Sequence, residues 1–168
     1  MTAAGSTGYR GAVEVRPAET NDWPGVAAML AELGRPAVIG SDEEDDHRAA
    51  FAAYLARPDT AALVAEDEGR VVGFLDVEYR QRLNFLRPQA WIPDLIVAED
   101  TRSRGIGTAL LTRAEELARE RDCWGMTLES ATWREDAHRF YLRAGWQQAG
   151  YSFTRSHTGQ PWPPPPPG

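Results

Sequence analysis

The sequence predicts one α+β, or mixed α/β, domain with its elements in the order β-α-α-β-β-β-α-β-α-β. Three observations carry the prediction. The 168 residues suffice for a single hydrophobic core. Apolar residues (42%) and charged residues (26%) stand at ordinary globular proportions. Between the two ends, runs with strand spacing and runs with helical spacing alternate, separated by capping and turn residues.

Val13, Val15 and their neighbours read as a first strand. Asn21 or Asp22 can cap a helix with Pro24 in its first turn and Gly34 at its end. Its apolar face is Trp23, Val26, Ala27, Leu30 and Leu33. Ser41 with Glu44 forms a capping box for a second helix that runs to about Ala56, before Pro58. Ala61–Glu66 and Val71–Glu78 pair as a hairpin around the turn Asp67–Gly69. Trp91–Val97 is a strand, and the proline at 93 calls for an edge or a bulge. Gly107–Arg121 is an amphipathic helix burying Ile106, Leu110, Ala114, Leu117 and Ala118. Gly125–Glu129 is a further strand. Thr132 with Glu135 forms a second capping box, opening a helix that ends at Gly145. Gln148–Arg155 alternates as a last strand. The domain is expected to span 11–158. Residues 1–10, small and polar, are expected to be disordered, and 159–168 to form a Pro-rich extended tail, an SH3-type ligand or an inert end.

Composition excludes several functions. The net charge of −7 argues against a phosphate-gripping nucleic-acid binder and favours cationic partners. Cys123 is the only cysteine, which fits a reducing compartment. The three histidines and this cysteine show no metal-ligand spacing, so no metal is expected. No signal peptide and no membrane span are read, which makes a cytoplasmic protein the expectation.

The informative stretch runs from Asp94 to Leu110: a strand, a glycine-containing turn, then a helix. The first turn of a helix carries unpaired N–H groups and about half a positive charge. An anion there gains roughly 0.3–1 kcal/mol. Gly105 and Gly107 remove side chains that would block a phosphate, and Arg102 and Arg104 add charge. A Walker loop would need a lysine that is not there. A dinucleotide site remains a competitor, with Glu129 about 20 residues downstream, but its third glycine is replaced by Leu110. The plain alternative is an ordinary strand–turn–helix with solvated arginines.

Arg102-x-x-Gly105-x-Gly107 resembles the signature of the GCN5-related N-acetyltransferases, the GNAT family. Asp94-Leu-Ile-Val resembles that family's fourth strand, Ala137-His-Arg-Phe140-Tyr141 through Gly145-Trp146 its later helix, and Gly69–Phe74 the hairpin between its second and third strands. The resemblance covers about residues 12–156. It implies a mostly antiparallel sheet, splayed between its fourth and fifth strands and flanked by about four helices. It implies acetyl-CoA as cosubstrate, the pantetheine arm pairing with the backbone of Leu95, Ile96 and Val97. The pyrophosphate would lie on the N–H groups of Arg102, Ser103, Arg104, Gly105, Ile106, Gly107 and Thr108. Many members carry an asparagine where this chain has Arg134, which would reach a phosphate or point to solvent. Dimers are common among such folds, and a homodimer fits the resemblance.

Acetyl transfer needs a neutral amine. A lysine-like amine with a pKa of about 10.4 is neutral in about 1 molecule in 2,500 at pH 7, a gap of about 4.6 kcal/mol. A carboxylate acting through water can close that gap. Asp94 and Glu129 are the candidate bases, one on each of the strands that should part. Tyr141 matches the family tyrosine that assists the departing thiolate, and a core tyrosine is the plain alternative. An acyl-CoA-binding sensor without catalysis stays open beside the enzyme, and the acceptor amine, of a small molecule or a peptide, is not specified. The acidic run Asp42–Asp46 is either a rim for a cationic acceptor or a set of first-turn acids complementing the helix dipole.

Overall fold

A computed structural model describes residues 13–157. The expectations for 1–10 and for the Pro-rich tail lie outside the described residues. Six strands, β1 (Glu14–Pro17), β2 (Thr60–Asp67), β3 (Arg70–Arg80), β4 (Gln89–Ile92), β5 (Leu95–Val97) and β6 (Gly125–Leu128), form one sheet among the described residues. Among the described residues four α-helices flank it: α1 (Trp23–Glu32), α2 (Glu44–Leu55), α3 (Ile106–Glu120) and α4 (Glu135–Arg143). The order is β1-β2-β3-β4-β6, with β5 also on β3. Every pairing is antiparallel except β4 with β6, which is parallel.

The β2–β3 hairpin turns on Glu68 (φ 51°) and Gly69 (φ 80°), the paired left-handed conformation whose twist matches the flanking strands. The core lies where α1 and α3 cover the centre of the sheet. Val26, Leu63, Val64, Val72, Leu75, Val77 and Leu110 are fully buried there. The helical stripe of α3 is buried through Ile106, Leu110, Leu111, Ala114 and Ala118, with Leu117 half-buried.

The strand expected at Trp91–Val97 is two strands separated by a bulge. Gly73–Leu75 face Leu95–Val97, and Glu78–Arg80 face Gln89–Trp91. In between, Asp76 and Val77 stand opposite Ile92, Pro93 and Asp94, so the β4–β5 side holds one residue more. Pro93 has no N–H to give to a ladder, and the bulge falls where that gap is. Beyond Ile92↔Leu128 the parallel pairing stops, and among the described residues β5 pairs with β3 alone. The sheet is therefore parted between β5 and β6.

Three local expectations change. The helix expected from Ser41 starts at Glu44, because the Ser41 hydroxyl donates to the Val38 carbonyl (2.7 Å) while Glu44 accepts the Gly40 N–H (2.7 Å). The helix expected from Thr132 starts at Glu135, because Ala131–Arg134 close a turn of their own, Arg134 N–H to Ala131 O at 3.0 Å. Residues 148–155 form no ladder among the described residues, and Tyr151 and Phe153 are exposed. Alternation sets two faces of a strand, but it does not supply an edge to pair with.

Candidate active site

The loop between β5 and α3 curls through two left-handed residues, Ser103 (φ 65°) and Gly105 (φ 80°). A non-glycine residue in that region costs about 1–2 kcal/mol, a strain that collects at functional loops. Gly105 immediately precedes α3, and a Cβ built on it meets nothing within 4 Å. The first turn of α3 is thus open to an anion, with its unpaired N–H groups facing outward. Ser103, Arg104, Gly105 and Thr108 are exposed, whereas Ile106 is buried and anchors the helix. Arg102 is exposed and folds its Nε back to the Val97 carbonyl at 3.4 Å. Arg104 is held by Asp67 of the hairpin turn, Nη1 to Oδ2 at 2.7 Å.

At the other end of β5 a polar network sits in the bulge. The Asp76 carboxylate accepts the Asp94 N–H at 2.9 Å, and the Asp94 carbonyl accepts the Asp76 N–H at 3.2 Å. Asp76 is buried, and burial first, then the Asp94 charge, pushes its carboxyl up to about 7. Tyr54 of α2 lies against it. Burial and the Asp76 and Glu78 carboxylates hold that phenol well above its usual range. The Asp94 side chain accepts two N–H groups of Arg35, from Nε at 3.1 Å and from Nη2. Arg35 follows α1, its backbone N–H bonded to Leu30 O at 3.0 Å.

α4 closes the third side. A Cβ on Gly107 would lie 3.2 Å from Phe140 Cζ and 3.6 Å from Val97 Cγ2, so β5, α3 and α4 meet at one point. Tyr141 follows Phe140, with its ring 5.4 Å from Phe140 and 6.1 Å from Trp146. Burial raises the Tyr141 phenol to about 12, and the positive charge of Arg134 works against that rise. The phenol stays protonated throughout the physiological range and can donate a hydrogen bond. Arg134, half-buried, donates from Nη2 to the Leu33 carbonyl at 2.6 Å and lies 4.8 Å from the Trp133 ring.

The structure brings Leu95–Val97, the Arg102–Thr108 loop, Asp94, Arg134 and Tyr141 around the parted strands. Glu129 is exposed, just past β6, and makes no ion pair among the described residues. The acidic residues of 42–46 lie in the exposed first turn of α2 and its approach, where Glu44 pairs with Arg48 at 2.8 Å. Asp76 and Arg35 were missed in the sequence. Asp76 had a signal, a carboxylate between Leu75 and Val77 in the otherwise apolar run from Val71 to Val77. Arg35 had none, because it stands 59 residues from its partner.

A sheet parted beside an anion-ready helix start, with a protonated phenol in the same region, can hold a phosphate-bearing ligand and donate a hydrogen bond to it. Residues 26–146 match the model of the Acetyltransferase (GNAT) family, and the chain belongs to that family of acetyltransferases. The chain is 34% identical over 146 residues to the aminoalkylphosphonate N-acetyltransferase of Salmonella typhimurium, covering 85% of this chain and 90% of that one. It is 25% identical to the aminoglycoside N(6')-acetyltransferase type 1 of Klebsiella aerogenes, over 80% of this chain and 89% of that one. A solved structure from Agrobacterium tumefaciens superposes with a TM-score of 0.77 at 26% identity, over 86% of this chain and 99% of the other. None of the described helices is long and apolar enough to cross a membrane.

Proposed function

We propose that the chain moves an acetyl group from acetyl-CoA to the primary amine of a small molecule or peptide, by direct attack of the amine. Acetyl-CoA supplies the activated thioester. The residues fit it on two observations: the open space over Gly105 at the start of α3, and the β5 edge left without a strand partner among the described residues where β6 departs. In this reading the N–H groups of Arg102–Thr108 hold the pyrophosphate, and the backbone of Leu95–Val97 holds the pantetheine arm as an added strand would. Asp94 and Glu129 flank the place where the amine must lose its proton.

Tyr141 donates a hydrogen bond to the departing sulfur. Full proton transfer from a phenol near 12 to a thiolate of pKa about 8.5 would cost about 5 kcal/mol, so the hydrogen bond is the useful contribution. The single observation that carries the proposal is the Gly107–Phe140 contact, which ties the helix bearing Tyr141 to the loop that would hold the coenzyme.

The acceptors named for the relatives, an aminoalkylphosphonate and an aminoglycoside, support a small-molecule amine. The test is release of free thiol from acetyl-CoA against a panel of amines. Amine-dependent release supports the proposal. Tight acetyl-CoA binding with no acetylated amine would leave a binding module instead.

A further inference from the structure

Arg134 and Arg35 converge on one turn. Arg134 Nη2 bonds the Leu33 carbonyl, and Arg35, two residues on, bonds Asp94 at the bulge. β5 is three residues long, so at about 3.3 Å per residue the bulge lies roughly 10 Å from the pyrophosphate loop. The turn therefore borders the bulge end of β5, a strand's length from that loop.

Charge there is not balanced. Arg35 has Asp94, but Arg134 forms no ion pair among the described residues. The nearest carboxylates on its own helix, Glu135 and Asp136, are both held by Arg139, and Glu129 does not pair with it. Arg35, Arg102, Tyr141 and Asp94 all act on Arg134 electrostatically, and burial lowers its pKa. A half-buried guanidinium held by a carbonyl and the Trp133 ring, with no carboxylate bonded to it among the described residues, is a cation without its counter-ion.

We infer that Arg134, backed by Arg35, binds an acidic group carried by the acceptor, so that the substrate is an amine bearing a phosphonate, phosphate or carboxylate a few bonds from its nitrogen. This rests on the acetyl-transfer reading above. It departs from the cationic acceptor that the net charge of −7 suggests. The field at a cleft is set by the charges lining it, and the acidic residues elsewhere on the surface are screened beyond about 8–10 Å.

The test uses matched amines that differ in the acidic group: phosphoethanolamine against ethanolamine, and β-alanine against propylamine, with spermidine as the polycation. We expect kcat/KM at least tenfold higher for one or both acidic members. Arg134→Gln should raise KM for that member about tenfold or more beyond any change it makes for the neutral partner, with the acetyl-CoA dissociation constant as in wild type. Arg134→Lys should recover part of the loss. Preference for the neutral amine or spermidine overturns the inference. So does an equal loss for both members of a pair, the mark of a purely structural arginine. Loss of acetyl-CoA binding in Arg134→Gln overturns it too, by giving the arginine to the coenzyme phosphates. Should no amine release thiol, the acetyl-transfer reading is what fails. Calorimetry of phosphoethanolamine and β-alanine on the coenzyme A complex then decides the anion site: binding lost in Arg134→Gln supports it, and no binding overturns it.

Discussion

The Asp76 carboxylate accepts the Asp94 backbone N–H at 2.9 Å, across the bulge that separates β4 from β5. An extra residue in one strand leaves an N–H with no ladder partner, and a buried N–H left alone costs about 1–3 kcal/mol. A side chain from the facing strand replaces the missing carbonyl. The same pair closes from the other side, Asp76 N–H to Asp94 O, so the bulge is fixed in shape while its outer edge stays open.

Asp76→Asn keeps the acceptor oxygen and removes the titration. The native carboxyl is raised from 3.8 to about 7. Between those values the native state holds a proton that the unfolded chain has lost, so stability falls as pH rises from about 4 to about 7. Below about 4 both states are protonated and the contribution is fully present. Melting curves from pH 4 to 8 should show wild type losing stability by a few kcal/mol relative to Asp76→Asn across that window. Parallel curves for the two proteins would refute the linkage.

Tyr141→Phe removes the hydrogen bond proposed for the departing sulfur and little volume. The expected result is a fall in kcat of about a hundredfold or more, with the acetyl-CoA dissociation constant unchanged within about threefold. Since the phenol holds its proton to about pH 12, wild-type kcat should show no alkaline loss from this group up to about pH 10. An unchanged kcat would return Tyr141 to a packing role beside Trp146.

The two candidate bases separate by rescue at high pH. Asp94 is engaged by Arg35 and its own backbone closes the bulge, whereas Glu129 is exposed and in no ion pair among the described residues. Glu129→Gln should lower kcat/KM at pH 7 by about a hundredfold, and the loss should shrink near pH 9–10, where the free amine deprotonates unaided. Asp94→Asn should lose activity at every pH, because it releases Arg35 from the cleft wall. A pH-independent defect in Glu129→Gln, measured by thiol release, would exclude it as the base.

What the sequence disclosed and what it withheld follow from range. The loop Arg102–Thr108 and the Phe140-Tyr141 helix are local patterns, and the structure places both around the parted strands. Pro93 marked the bulge because a missing N–H is a property of one residue. The Asp94–Arg35 pair, the Arg134–Leu33 contact (101 residues apart) and the Gly107–Phe140 approach are made by folding, and no spacing rule reports them. The last expected strand failed for the same reason in reverse: residues 148–155 have strand alternation but no ladder among the described residues.

Gly105 and Gly107 should fail in different ways when replaced by alanine. Gly105 has φ +80° and open space around a would-be Cβ, so Gly105→Ala strains the backbone without a clash. It should destabilise by about 1 kcal/mol and, by relaxing the loop, weaken acetyl-CoA binding. Gly107 is inside the first turn of α3, where alanine gains about 1 kcal/mol of helix propensity. Its Cβ would stand 3.2 Å from Phe140 Cζ, so α4 must yield by a few tenths of an ångström. The stability change should be near zero, because the two effects oppose, while kcat falls as Tyr141 shifts with its helix. Urea unfolding and single-turnover acetyl transfer on both variants separate the cases. If Gly107→Ala left the single-turnover rate at the wild-type value, the Gly107–Phe140 contact would not be what positions Tyr141.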